Sequence, residues 1–155
     1  MSASHDARLA ELGITLPQAV APAANYVPAR RSGSLVYIAG QVPTADGRDQ
    51  FVGKLGQDVS IEDGQKAARL CAINILAQLR NALGGSLDGV VGCVRLGGFV
   101  NATPDFGDHP KVINGASDLM VQVFGDAGKH ARSAIGVASL PFGCAVEVEA
   151  IFEIK

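Results

Sequence analysis

The sequence has no tryptophan, and two tyrosines and six phenylalanines are its whole aromatic complement. Proteins that hold single-stranded nucleic acid stack the bases on aromatic side chains along a positively charged groove. With 13 Lys and Arg against 15 Asp and Glu, the net charge is -2, so that groove's charge is missing along with its stacking platform. Nucleic acid is therefore not an expected partner. Neither is an anionic membrane surface, which calls for a polybasic stretch. Cysteine is scarce too: Cys71, Cys93 and Cys144 are odd in number, far apart and set among apolar neighbours. That arrangement speaks against a disulfide framework and fits reduced, buried thiols in a reducing compartment. His5, His109 and His130 have no ligand spacing with one another or with the cysteines, so no metal is expected. No apolar run approaches the roughly 18 residues of a membrane span. The opening residues MSASHDARLAELG carry charge where a signal peptide needs an apolar stretch, and the expectation is a cytoplasmic protein.

What is present suits one domain: 155 residues, 48% of them apolar, can bury a core without metal or disulfide support. Ser4 is placed to cap a short helix over Asp6 to Leu12 that stops at Gly13, and a Pro/Ala-rich arm follows from Leu16 to Ala24. Residues 1–24 thus read as a short helix and extended arm ahead of a domain over residues 25–155. Tyr26 to Arg31 and Leu35 to Ala39 flank Ser32-Gly33-Ser34, the composition of a hairpin. Thr44 to Asp58 reads as a loop, with a short strand near Phe51.

Ser60 and Asp63 have the spacing of a capping box, and Ala68, Cys71, Ile75, Leu79 and Ala82 then recur at helical period until Gly84-Gly85. Because that glycine pair follows a helix instead of opening one, it is a stop and not a phosphate cradle. Val90 to Asn101 is a strand diluted by glycine. Asp108 is placed to cap a second helix with the stripe Val112, Ala116, Leu119, Met120, Val123. Ser133 to Leu140 and Cys144 to Ile154 read as strands joined at Pro141-Phe142-Gly143. The order ββαβαββ predicts an α+β fold with one mixed sheet and two helices on one face. The other face is left uncovered, and its most economical cover is a second copy of the chain.

In the last strand Val146, Val148, Ala150 and Phe152 alternate with Glu147, Glu149, Ile151 and Glu153, which puts three carboxylates on one face. By itself that is a solvated face, and Arg132 at a strand start is by itself an ordinary surface residue. If the last two strands form a hairpin, Glu147 pairs near Gly136, four residues from Arg132, or ~13 Å at strand rise. The two then do not meet within one chain and could cooperate only across a subunit interface.

The segment His130-Ala131-Arg132-Ser133-Ala134-Ile135-Gly136-Val137-Ala138-Ser139-Leu140-Pro141, followed by Val146-Glu147-Val148-Glu149-Ala150, resembles the C-terminal signature of the reactive intermediate deaminase family (Rid, YjgF, formerly endoribonuclease L-PSP). Ile38-Ala39-Gly40-Gln41-Val42-Pro43 resembles its N-terminal one. With Val112-Ile113-Asn114 the matches run from Tyr26 to Ile154, and the chain is similar to a longer, N-terminally extended subgroup. The resemblance implies a chorismate-mutase-like fold and a homotrimer whose sheets form an inner barrel with three inter-subunit clefts. It also implies hydrolysis, without a cofactor, of reactive 2-enamines and 2-imines such as 2-aminoacrylate to a 2-keto acid and ammonia. In that scheme Arg132 grips a small carboxylate metabolite, the backbone at Ala134 holds the reacting end, and Glu147 positions water. Tyr26, Gly40 and Asn114 line or support the cleft. Ala134 stands where many members carry cysteine, so no thiol is available there. Two other readings exist: a non-catalytic sensor of 2-keto acids using the same cleft, and an endoribonuclease, which the acidic, aromatic-poor composition disfavours.

Overall fold

The computed structural model describes residues 4–22 and 24–155. Residues 1–3 of the N-terminal segment and Ala23 of the arm lie outside the described residues. Helix α1, His5–Glu11, is capped by Ser4, whose hydroxyl accepts from the Ala7 N–H at 3.0 Å. It docks on the body: Leu9 is buried, the His5 ring meets Phe124 edge-on at 4.8 Å, and Asp6 bonds Ser86. The arm lies along the next long helix, where Gln78 Nε2 donates to the Val20 carbonyl at 2.9 Å.

Strands β1 (Ala29–Ser32) and β2 (Leu35–Gln41) make the expected hairpin, with Gly33 at φ 60 in the turn. Tyr26 falls in a bend ahead of β1, outside the strand in which the sequence placed it. The segment read as a loop carries a small ribbon of β3 (Thr44–Ala45) and β4 (Arg48–Asp49). There is no strand at Phe51, which turns the chain at φ 56; Val52 instead makes an isolated bridge to Cys144. Helix α2 runs Ile61–Ala82, β5 Val90–Asn101, α3 His109–Phe124, β6 Ala131–Val137 and β7 Val146–Ile154.

Two caps differ from expectation. Ser60 Oγ accepts from the Asp63 N–H at 3.1 Å, but the Asp63 carboxylate turns to Lys66 and the box stays half closed. An aspartate is one methylene shorter than the glutamate that the reciprocal bond requires. Asp108 makes no side-chain cap on α3; its carboxylate pairs with Lys111 at 3.4 Å, while Pro110 supplies a preset φ in the first turn.

The five-stranded sheet has the order β1-β2-β7-β5-β6, antiparallel except where β5 and β6 run parallel, so it is mixed as predicted. The expected terminal hairpin is wrong. β6 and β7 are not neighbours, because β5 lies between them. The reason lies in β7, where Val146, Val148, Ala150, Phe152 and Ile154 are all buried against the helices. So apolar a face gains most from a central position, while β6, half-buried at best and containing Gly136, suits the edge. The turn at Pro141–Gly143 carries the chain past the end of β5 to its far side.

Helices α2 and α3 cover one sheet face, with Ile75, Leu76, Leu79, Ile113, Leu119 and Met120 fully buried beneath them. They pack closely at Gly115, where a Cβ would land on the Gln65 carbonyl oxygen of α2. Alanine is the better helix former by about 1 kcal/mol. Even so, Gly115→Ala is expected to lower stability by about 2 kcal/mol, since backbone on two helices must move apart. Thermal or denaturant unfolding checks this; an unchanged midpoint would contradict the packing. No helix of the described residues is long and apolar enough to cross a membrane.

Candidate functional site

Arg132 is the second residue of β6, opposite Leu96 of β5. Leu96 is buried under the helices, so Arg132 leans to the same side, toward α3. Pro110, Asn114 and Ser117 are spaced by four and three and therefore share one face of that helix. All three take hold of the guanidinium. Nη1 donates to Asn114 Oδ1 at 2.8 Å and to Ser117 Oγ at 3.1 Å, and Nη2 donates to the Pro110 carbonyl at 3.4 Å. These acceptors are neutral, and no carboxylate among the described residues lies within ion-pair distance of Arg132. Three of the five guanidinium N–H donors are thus used, which leaves Nε–H, one Nη2–H and the full positive charge.

Ala134 follows two residues later on the same side of β6, opposite Gly98. β6 is an edge strand, paired only with β5, so backbone donors and acceptors along its outer side are open to a ligand.

Glu147 belongs to the opposite face. It alternates with the buried Val146 and Val148 and is only half-buried. Its neighbour is Gly40, where the ladder between β2 and β7 shifts register between Ile38 and Gln41. A Cβ at Gly40 would stand 2.9 Å from Glu147 Oε1, so the carboxylate lies against the glycine backbone. Burial, and after it the charge of Glu149, push the Glu147 carboxyl above the ordinary carboxylate range. The six candidate residues therefore divide. Arg132, Asn114 and Ala134 come together, as do Gly40 and Glu147, and the two groups lie on opposite faces of one chain's sheet. Tyr26 stands apart, exposed in its bend.

A concavity of about 380 Å³ opens on the uncovered face, flanked by Arg30, Tyr37, Arg95 and Glu149. Neither Arg132 nor Glu147 lines it. Among the described residues no group of three or more His, Cys, Asp or Glu could hold a metal ion.

A family model described as "YjgF/chorismate mutase-like, putative endoribonuclease" matches residues 6–153. The chain belongs to this YjgF family. It is 48% identical over 150 residues to protein TCP17 of Trypanosoma cruzi, covering 96% of this chain and 93% of that protein. The crystal structure of protein Atu1372 from Agrobacterium tumefaciens is 48% identical and superposes with a TM-score of 0.91, over 97% of this chain and 92% of that one. A structure from Shewanella oneidensis, named a putative endoribonuclease, is 34% identical with a TM-score of 0.93, over 98% and 100% of the two chains.

The YjgF fold accounts for what the sequence left out around Arg132. Ser117 and His130 are absent from the residues anticipated for the site, yet Ser117 binds the guanidinium and His130 Nε2 lies 2.8 Å from Ser117 Oγ. The usable signal is the three-residue spacing of Asn114 and Ser117, which puts two polar side chains on one face of α3. His130 opens the C-terminal signature in the sequence, but its contact with Ser117 depends on the tight turn at Gly125–Gly128.

Proposed function

We propose that this YjgF protein is a homotrimeric deaminase that hydrolyses 2-enamines and 2-imines, with Arg132 gripping the substrate carboxylate. One observation carries the reading: Arg132 is anchored by neutral oxygens alone and keeps its charge and two N–H donors. A cation so held suits a small carboxylate, whose two oxygens take the two free donors. The edge-strand backbone at Ala134 would then receive the nitrogen-bearing carbon. An enamine first tautomerises to the imine, its nitrogen giving up a proton and its β-carbon gaining one. Water then adds to the carbon-nitrogen double bond, the proton it loses passes to a carboxylate and from there to the nitrogen, and ammonia leaves to give the 2-keto acid. The site therefore calls for a carboxylate that takes this proton and returns it. Glu147 fits that role, supplied by a second copy, since it and Arg132 occupy opposite faces of one sheet.

The uncovered face supports the trimer: Tyr37 and Ile135 stay 44% and 49% exposed on it. Sedimentation is expected to give a particle of three chains of 15.9 kDa each. A monomer would sink both the trimer and the shared cleft. The endoribonuclease reading is less well supported, because a net charge of -2 and the lack of tryptophan offer RNA neither field nor stacking surface. The direct test is ammonia and keto-acid release from 2-aminoacrylate generated in situ. Acceleration by the native protein, lost in Arg132→Ala, is the expected result; no acceleration would overturn the deaminase reading.

A further inference from the structure

The hydrogen bonds that fix Arg132 run one step beyond the residues that touch it. The Gly128 carbonyl lies 2.6 Å from His130 Nδ1, and Ser117 Oγ lies 2.8 Å from His130 Nε2. A carbonyl only accepts, so Nδ1 carries the proton and, in the neutral ring, Nε2 must accept. The Ser117 hydroxyl therefore donates to Nε2, which leaves its lone pairs to Arg132 Nη1 at 3.1 Å. Each bond's direction is set by the one before it, starting from the Gly128 carbonyl.

We propose that Ser117 and neutral His130 are positioning residues for the carboxylate clamp, holding Nη1 of Arg132 so that Nε–H and the remaining Nη2–H form its gripping edge. The proposal rests on the reading of Arg132 given above. Its physical basis is that two acceptors on Nη1 fix the guanidinium plane, whereas Asn114 alone is a pivot. The Pro110 carbonyl, at 3.4 Å, is the weakest of the three anchors.

The arrangement works only with an uncharged imidazole. Protonation would turn Nε2 into a donor, so Ser117 would lose the acceptor for its own proton, and a second cation would stand beside Arg132. Burial holds His130 below its ordinary pKa; the bond to Gly128 opposes this, and the Arg132 charge adds to the lowering. Arg132 is the charged group facing the ring. Helix α3 presents the neutral Ser117, and its neighbour Asp118 faces the groove between α2 and α3. Asp126 and Lys129 in the preceding turn pair with each other at 2.9 Å, and Arg95 of β5 lies on the open side of the sheet.

The test uses the full-length ¹⁵N-labelled protein, with 2-oxobutyrate as the carboxylate probe. Imidazole nitrogen shifts are expected to show His130 as the Nδ1–H tautomer, titrating below the ordinary histidine range and moving up in Arg132→Ala. Calorimetry is expected to show 2-oxobutyrate bound about tenfold more weakly by Ser117→Ala, the loss of one hydrogen bond to a charged group. Ser117→Thr, which keeps the hydroxyl, should restore most of that affinity. An Nε2–H tautomer, native affinity in Ser117→Ala, or failure of the threonine to restore binding would overturn the proposal. If the native protein binds no 2-oxobutyrate, the clamp reading fails, while the tautomer and titration of His130 still decide whether the network holds Arg132.

Discussion

Arg132→Ala is expected to reduce kcat/KM for 2-aminoacrylate by about a thousandfold while leaving the fold intact. The size follows from what is removed. A carboxylate held by two charge-assisted hydrogen bonds loses both, at about 1.5 to 3 kcal/mol each, and every 1.4 kcal/mol is a factor of ten. The protein itself loses little, because Arg132 sits at the start of an edge strand and its anchors, the exposed Asn114 and half-buried Ser117, can turn to water. Unfolding midpoints should therefore stay close to native, which separates a lost clamp from a lost fold. Arg132→Lys sharpens the test. Lysine keeps the charge but lacks the planar fork, so it cannot satisfy Asn114, Ser117 and a carboxylate together. Activity between native and alanine is expected; a fully active lysine variant would show that charge alone matters and that the fixed plane does not.

Much of this could be read before any coordinates. The α2 stripe of Ala68, Cys71, Ile75 and Leu79 and its stop at Gly84-Gly85 depend on local period, and local period survives folding; the stripe's last member, Ala82, is exposed on the final turn. The β1–β2 hairpin likewise needed only Gly33 and its flanks. The placing of β7 was a different problem. Adjacent strands in sequence with a Pro-Phe-Gly link look like a hairpin, yet β7 takes the centre of the sheet because its apolar face is the most continuous in the chain. That competition is global, and no window of sequence contains it. Gly40 and Glu147 illustrate the same limit: they touch because β2 and β7 pair across more than a hundred residues and a register shift swings the glycine under the carboxylate. The likeness to the deaminase signature named both residues without giving their contact. Ser117 and His130 escaped because their partnership is made by a tight turn that reverses the chain between α3 and β6.

Glu147→Gln is expected to abolish turnover, by about a hundredfold or more, while sparing carboxylate binding. The amide has the shape of the carboxylate but cannot take a proton from water, so the step lost is the addition to the double bond and not the capture of substrate by Arg132. A sensor that never turns over substrate would show no difference between native and variant, and this separates the two uses of the cleft. The pH dependence supplies a second signature. Burial and the Glu149 charge raise the Glu147 carboxyl above its ordinary value of 4.5, so the folded chain holds this proton more tightly than the unfolded chain does. The sign follows: folding is not penalised by this group below the ordinary carboxylate range, loses stability as pH rises from there through the raised value, and bears the full cost above it. Glutamine carries no such cost. The variant should match the native protein in acid and exceed it in unfolding midpoint at neutral pH, while native activity gains an acid limb displaced above the ordinary carboxylate range. A variant less stable than native at neutral pH would mean that the charge of Glu147 is stabilising in the assembled protein, met there by a cation from a neighbouring copy.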